Sequence, residues 1–173
     1  ARPATTNLMI HGDVGTGSSF EDSSPAKHTV TTVNGATHSG TSKFGGTAIY
    51  GGNGYASGNR IEAAGSDVGT FGTGDFTVDF WMKSDGSQTT RSDVVALYDP
   101  GWTENFTFDF NDGSSYGIWF FWNSSGGNKI RGLANGICTD GEWHHVAAVR
   151  YGTTVNLFID GTSVGTNTES GTM

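Results

Sequence analysis

Apolar and polar residues alternate along several stretches of this chain, and that alternation constrains the fold more than any other feature of the sequence. Between Phe76 and Lys83 every second residue is apolar, and Phe106–Phe110 and Val155–Ile159 repeat the pattern. Successive side chains of a β-strand point to opposite faces, so a period of two predicts a strand with one face on a core. No stretch of a dozen residues has the period of an amphipathic helix. The pattern therefore predicts an antiparallel all-β chain.

Further short strands are predicted between turn signals, at Leu8–Ile10, Ala48–Tyr50, Val94–Tyr98, Gly117–Trp122 and Trp143–Arg150. The strongest turn signal is Asp160-Gly161, which would join Val155–Ile159 to Ser163–Thr166, because glycine accepts the positive φ of a tight hairpin. The chain has 28 glycines, but its 11 Phe, five Trp and five Tyr argue against disorder, since so much aromatic surface must be buried or used. About ten or more short strands without helices predict a sandwich or a barrel.

Length and charge narrow the class of protein. The 173 residues suit one domain over 1–173, and the net charge of −8 would repel a phosphate backbone, so no nucleic-acid partner is expected. No apolar stretch reaches 18 residues, which predicts no membrane insertion. Cys138 is the single cysteine, so the chain forms no internal disulfide.

Several segments carry a family resemblance through their order and spacing. The most specific is Phe71–Trp81, and Gly141–Ala147 with Val155–Gly161 resembles a late pair of strands. The remaining segments are Leu8–Asp13, Phe20–Ser24, His28–Val30 and Lys43–Ala48. Together they resemble the concanavalin A-like, laminin-G-like jelly-roll superfamily, which includes the pentraxins, and most of all the versions in bacteriophage structural proteins. The resemblance covers about residues 7–166 and implies an antiparallel two-sheet jelly-roll sandwich.

One departure from that family concerns the end of the sandwich. In the resembled domains more strands follow the late hairpin, and one of them pairs near the opening strand. The sequence stops at Met173 without them. Because an uncovered sheet edge invites aggregation, we expect either a fragment or an edge completed by other copies or other virion proteins, hence an oligomer.

The resemblance also implies a structural calcium ion. Related sandwiches hold one with a loop carboxylate, backbone carbonyls and a carboxylate from the final strand, and Ca²⁺ takes six to eight oxygen ligands. Asp22 stands at the loop position, with Asp13 as a second candidate. The missing C-terminal segment would remove the other carboxylate. The alternative is that Asp22 is a solvated carboxylate that caps the turn at Ser23-Ser24.

A candidate carbohydrate site lies in the segment from Tyr98 to Asn105. Trp102 sits in a loop where a large aromatic side chain has no evident place in a core, and Tyr98, Asp99 and Asn105 would supply polar partners. Sugars need an aromatic platform for their C–H faces and polar groups for their hydroxyls. The alternatives for Trp102 are an intersubunit contact or local packing.

For three other tryptophans the sequence also has to decide between a sugar-stacking platform and a structural residue. Trp119 alternates with Ile118 and Phe120, so it could point to an outer face. Trp81 and Trp143 fall in segments that form the framework of the resembled domains, and they are expected to be structural.

Catalysis is not expected. Glycoside hydrolases need two carboxylates across a cleft, and the strand motif Glu-x-Asp-x-x-Glu that supplies them on this fold is absent. His144 and His145 are adjacent on a predicted strand and would point to opposite faces. There is no Gly-x-Ser-x-Gly motif, and Cys138 has no recognisable catalytic partner.

These observations lead to one function hypothesis and its alternatives. The first is a non-catalytic structural or adhesion module of a virus particle, as a capsid decoration, tail fibre or spike, with a cell-surface glycan as ligand. The alternative is a calcium-stabilised carbohydrate-binding module of a secreted bacterial protein. A polysaccharide-cleaving enzyme is a weaker third. The first two place the protein in a virion or outside the cell.

Overall fold

Every secondary-structure element in the described part of the chain is a β-strand, and every strand pair is antiparallel. The computed structural model describes residues 6–51, 58–64, 68–69, 71–84, 92–98, 104–110, 117–122, 128–132 and 140–173. The chain divides into two compact units, residues 1–70 and residues 71–173. The predicted all-β antiparallel class is confirmed, whereas the single domain over 1–173 stays a prediction.

The described residues of the first unit form four short strands in two pairs. They are β1 (Thr29–Val33), β2 (Thr37–Ser39), β3 (Ala48–Tyr50) and β4 (Arg60–Ala64), with β1 paired to β4 and β2 to β3. The predicted strand at Leu8–Ile10 is reduced to a single bridge between Ile10 and Asp22. The physical reason is that the Asp22 carboxylate, not a strand carbonyl, accepts the Met9 N–H at 2.9 Å.

The described residues of the second unit form two four-stranded sheets. One has the order β12-β11-β10-β5 and the other the order β6-β7-β8-β9. Their bounds are β5 (Phe76–Lys83), β6 (Ser92–Tyr98), β7 (Glu104–Phe110), β8 (Ile118–Trp122), β9 (Asn128–Gly132), β10 (Trp143–Tyr151), β11 (Thr154–Ile159) and β12 (Thr162–Thr168). The predicted hairpin at Asp160-Gly161 is confirmed, because both residues have positive φ, 50° and 76°.

The two sheets of the second unit pack face to face over an aromatic core. Phe80 meets Phe108 edge-on with ring centroids 5.1 Å apart, and Phe76 meets Phe120 at 6.4 Å. Each pair joins a strand of one sheet to a strand of the other. The core also holds Met82, Phe106, Phe110, Ile118, Trp122, Ile130, Val146, Ala148, Val155, Leu157 and Ile159. This is the layer arrangement that a jelly-roll sandwich requires.

A buried arginine ties the segment after β12 to the second unit. Arg150, 2 % exposed, donates hydrogen bonds to four backbone carbonyls, those of Gly72, Gly152, Glu169 and Gly171. The buried Glu169 carboxylate in turn accepts the Trp122 indole N–H at 2.8 Å. The sandwich is therefore held together at this end by polar contacts as well as by its aromatic core.

Candidate functional site

The outer face of the β12-β11-β10-β5 sheet carries exposed and half-buried aromatic side chains. Alternate residues of β5 and β10 lie in the core, which turns the residues between them outward. Trp81 is 40 % exposed, an unusual position for an indole in a sandwich. We call this surface the outer aromatic face, and it consists of Asp79, Trp81, Lys83, Trp143, His145, Asn156 and Phe158.

The strand register places polar groups around Trp81. His145 lies opposite Trp81 on β10, and their ring centroids are 5.3 Å apart at an angle of 43°. The His145 Nε2 is 3.6 Å from the Asp79 Oδ2, which is ion-pair range and too long for a hydrogen bond. Lys83 stands two residues beyond Trp81 on the same face of β5, exposed to solvent. One aromatic surface is thus flanked by a carboxylate, an imidazole and an ammonium group.

His144, on the other side of β10, forms a second polar cluster. Its Nδ1 lies 2.7 Å from the Asp160 Oδ2, and its Nε2 lies 3.0 Å from the Asp140 Oδ2. The other Asp160 oxygen accepts the backbone N–H of His145 at 2.9 Å. The cluster therefore fixes the beginning of β10, where His145 enters the outer aromatic face. The predicted divergence of the two histidines is confirmed by this placement.

The geometry of this cluster favours the charged form of the His144 imidazole. A neutral ring donates from one nitrogen only, so a ring with a carboxylate at each nitrogen is satisfied when both are protonated. Burial alone would lower the pKa of His144, but the hydrogen bonds to Asp160 and Asp140, with their negative charges, raise the pKa above its ordinary value. The hydrogen bond from His144 likewise lowers the pKa of Asp160.

The sequence-predicted carbohydrate site falls largely outside the described residues. Asp99 and Trp102 lie there entirely, and the side chains of Tyr98 and Asn105 do as well. The backbone places Tyr98 at the end of β6, in register with Glu104 on β7, so the two ends of this segment are neighbours in the sheet. The ligand role of these four residues stays a prediction.

Trp119 is not an exposed platform, although the alternation of β8 does turn it away from the core. It is 7 % exposed and stacks on Phe121 with ring centroids 5.4 Å apart. On neighbouring β7, the Thr107 hydroxyl donates to the Asp109 carboxylate, and both residues are buried. The side of this sheet that faces away from the core is therefore covered at Trp119.

The two candidate calcium ligands lie in the first unit, in different surroundings. Asp22 is 4 % exposed, whereas the Asp13 side chain is 39 % exposed and sits 3.5 Å from His11. The Asp22 oxygens face five donor groups: the backbone N–H groups of Met9, Ser24 and His28, the Ser24 hydroxyl and the His28 ring. Burial alone would raise the pKa of Asp22, but these hydrogen bonds hold its pKa well below the ordinary value.

That hydrogen bonding does not suit a calcium ligand. A carboxylate offers about four lone-pair sites, and the protein's own donors already use them at Asp22. Among the described residues, no three His, Cys, Asp or Glu side chains are grouped to hold a metal ion. The alternative was a solvated carboxylate that caps the turn. The solvation is wrong, because Asp22 is buried, but the capping is confirmed, because Asp22 accepts the Ser24 N–H. Calcium binding stays a prediction.

A shallow cleft of about 360 Å³ adjoins Asp22 in the first unit. It is lined by Phe20, Glu21, Asp22, Lys27, His28 and Val30. The buried carboxylate in this lining belongs to Asp22, and its oxygens already accept hydrogen bonds from the protein, so this group offers a ligand little free bonding capacity.

The exposure of Trp81 is the feature that reasoning from the sequence missed. The resemblance assigned Trp81 to the framework, yet its side chain is on the surface. The signal was present in the alternation, which groups Trp81 with Thr77, Asp79 and Lys83 on the polar side of β5. A tryptophan among polar neighbours on the solvent side of a strand is a ligand candidate.

Comparison with known families agrees with this architecture. Residues 51–173 match a laminin-G family model described as the Concanavalin A-like lectin/glucanases superfamily. The chain belongs to the concanavalin A-like lectin/glucanases superfamily. The match spans both sheets of the second unit and includes the whole outer aromatic face.

A solved structure supports the same fold for this concanavalin A-like chain. It is similar to domain 4 of AbnA, a GH43 extracellular arabinanase from Geobacillus stearothermophilus, solved in complex with arabinotriose. The likeness has a TM-score of 0.62 at 20 % identity and covers 87 % of this chain and 70 % of that one. A search of curated proteins gave no match. No helix in the described ranges is long and apolar enough to cross a membrane.

Proposed function

We propose that this concanavalin A-like chain is a non-catalytic carbohydrate-binding module that holds its glycan on the outer aromatic face. The observation that carries the proposal is the exposed Trp81 indole between Asp79 and Lys83, with His145 beside it. The apolar C–H face of a sugar ring stacks on an indole, while its hydroxyls need hydrogen-bonding partners at the rim. The four side chains supply both.

Two comparisons support a carbohydrate ligand. The superfamily is described by its lectins and glucanases, and the similar arabinanase domain was solved with arabinotriose. At 20 % identity that likeness supports only the fold, so arabinotriose is used as a probe and is not assigned as the ligand. The proposal that the module is non-catalytic rests on the sequence, which lacks the Glu-x-Asp-x-x-Glu strand motif of hydrolases with this fold.

The biological setting we propose is an adhesion module of a virus particle that acts on a cell-surface glycan. Its support is the sequence resemblance to bacteriophage structural proteins. The alternative is a module of a secreted bacterial protein, stabilised by calcium. Fractionation distinguishes them: copurification with capsids supports the first setting, and recovery from culture medium of uninfected bacteria supports the second.

The proposed function is tested by Trp81→Ala on a panel of immobilised polysaccharides and on arabinotriose. We expect wild-type binding to fall by about tenfold or more in the variant, since stacking on the indole is lost. The matched control is Tyr151→Ala, which removes another exposed aromatic side chain, 78 % exposed, from the far end of β10. Equal binding by wild type and Trp81→Ala would contradict the proposal.

A further inference from the structure

We infer, resting on the proposed function, that the ligand of the outer aromatic face is a neutral glycan. The inference comes from the charged side chains beside Trp81 on β5 and β10. It names the ligand class and not a particular sugar.

Among the described residues, the two charged side chains on either side of Trp81 on β5 have opposite sign. Asp79 and Lys83 stand two residues to either side of it on β5, and both are exposed, the Asp79 side chain by 58 %. A neutral sugar satisfies both, because a hydroxyl donates to the carboxylate and accepts from the ammonium group. The mixed pair thus suits a ligand rich in hydroxyls and without charge of its own.

An anionic glycan would meet unfavourable charges at the same place. A polyanion with a ring stacked on Trp81 would bring negative charge to the Asp79 carboxylate two residues away on β5, and the protein as a whole carries a net charge of −8. The His145 Nε2 is directed at that same carboxylate, 3.6 Å from the Asp79 Oδ2. The face therefore selects against polyanions.

Affinity electrophoresis tests this inference with two sets of polysaccharides. The neutral set is linear arabinan, xylan and a mixed-linkage glucan, and the anionic set is polygalacturonate, alginate and heparin. We expect binding in the neutral set, with an affinity that changes less than about twofold between about 50 and 500 mM NaCl because no ion pair forms. Asp79→Asn and Lys83→Gln should each weaken that binding by about three- to tenfold, through loss of one charge-assisted hydrogen bond.

The matched control is Glu142→Gln, which removes an exposed carboxylate just before β10 and should leave binding unchanged. Trp81→Ala, run in parallel, separates the two proposals. Binding to polyanions alone, weakened by salt and by Lys83→Gln but still dependent on Trp81, would overturn the neutral class and leave the carbohydrate function standing. Failure of Trp81→Ala to weaken binding in either set would overturn both.

Discussion

At the scale of single residues, the surroundings of Asp22 and Trp81 both differ from those predicted from the sequence. The sequence presents Asp22 as a surface ligand, but it is a buried acceptor, and one of its donors, Met9, lies 13 residues away along the chain. Trp81 is presented as framework, but it is exposed. The surroundings of Asp22 depend on which segments become neighbours in the fold, whereas the exposure of Trp81 was already indicated by the alternation of β5.

Asp22→Asn should destabilise the first unit. The Asp22 carboxylate accepts five hydrogen bonds, and in the variant an amide NH₂ group, which is a donor, replaces one of its two oxygens. For a buried charged acceptor we expect the free energy of unfolding to fall by on the order of 3 kcal/mol. Because the folded-state pKa is lowered, the stabilisation by wild-type Asp22 is present above its unfolded pKa and is lost as pH falls below about 4. Urea unfolding of both proteins from pH 7 to pH 3 measures this.

The difference between the two curves should shrink on acidification, and a constant difference would contradict the role of the charge. EDTA should leave the wild-type melting temperature unchanged, since protein donors already use the Asp22 oxygens. A clear fall in melting temperature on chelation, reversed by Ca²⁺, would instead establish the calcium site predicted at Asp22 and Asp13.

His144 should have the opposite pH dependence. Its folded-state pKa is raised, so the stabilisation it gives is complete below the unfolded pKa of about 6.5 and is lost as pH rises through the folded value. His144→Gln should therefore lower the melting temperature at pH 5.5 by no more than a few degrees, because the carboxylates are largely exposed, and by less at pH 8.5.

The control for this substitution is His11→Gln, whose imidazole is 44 % exposed. NMR titration of the ring protons gives the pKa of His144 directly. A value below that of an ordinary exposed histidine would show that the imidazole does not bridge Asp140 and Asp160 as a cation.

At the scale of elements, the alternation of apolar and polar side chains predicted the positions of most strands of the sandwich. The bounds predicted from the sequence for β3 and β5 match the structure, and β8, β10 and β11 differ by a residue or so at an end. Apart from β3, whose Ile49 and Tyr50 are exposed, these strands carry an apolar face that packs in the core, so their pattern is strong. The segment at Leu8–Ile10 has no such constraint, because a side-chain acceptor takes its backbone donor.

The turn between β11 and β12 tests whether the positive φ of its glycine matters for stability. Gly161 has φ of 76° and open space where a Cβ would stand, so Gly161→Ala should cost only the strain of a left-handed alanine, about 1 kcal/mol. Gly40→Ala is the matched control, since that glycine also has open space but no positive φ, and it should be near neutral. Equal unfolding free energies for the two variants would contradict the role assigned to the turn.

At the scale of the whole molecule, the sandwich gives the outer aromatic face its rigidity. The strands that carry Trp81 and His145 are far apart in sequence, yet they pair along their length, and their inner faces are locked into the aromatic core. A platform on paired strands loses little freedom when a ligand binds, in contrast to one on a loop. The fold class was predictable from the period of two, whereas the site was not, because it exists only through the register of β5 and β10.

The central claim is that a neutral glycan stacks on Trp81, and NMR observation of the five tryptophan indole N–H signals tests it most directly. The titrant is the neutral glycan that binds best in the electrophoresis panel. The account predicts a dose-dependent shift of the Trp81 signal, while that of Trp122, buried and bonded to Glu169, stays in place. A shift confined to Trp102, or to no indole at all despite measurable binding, would contradict it.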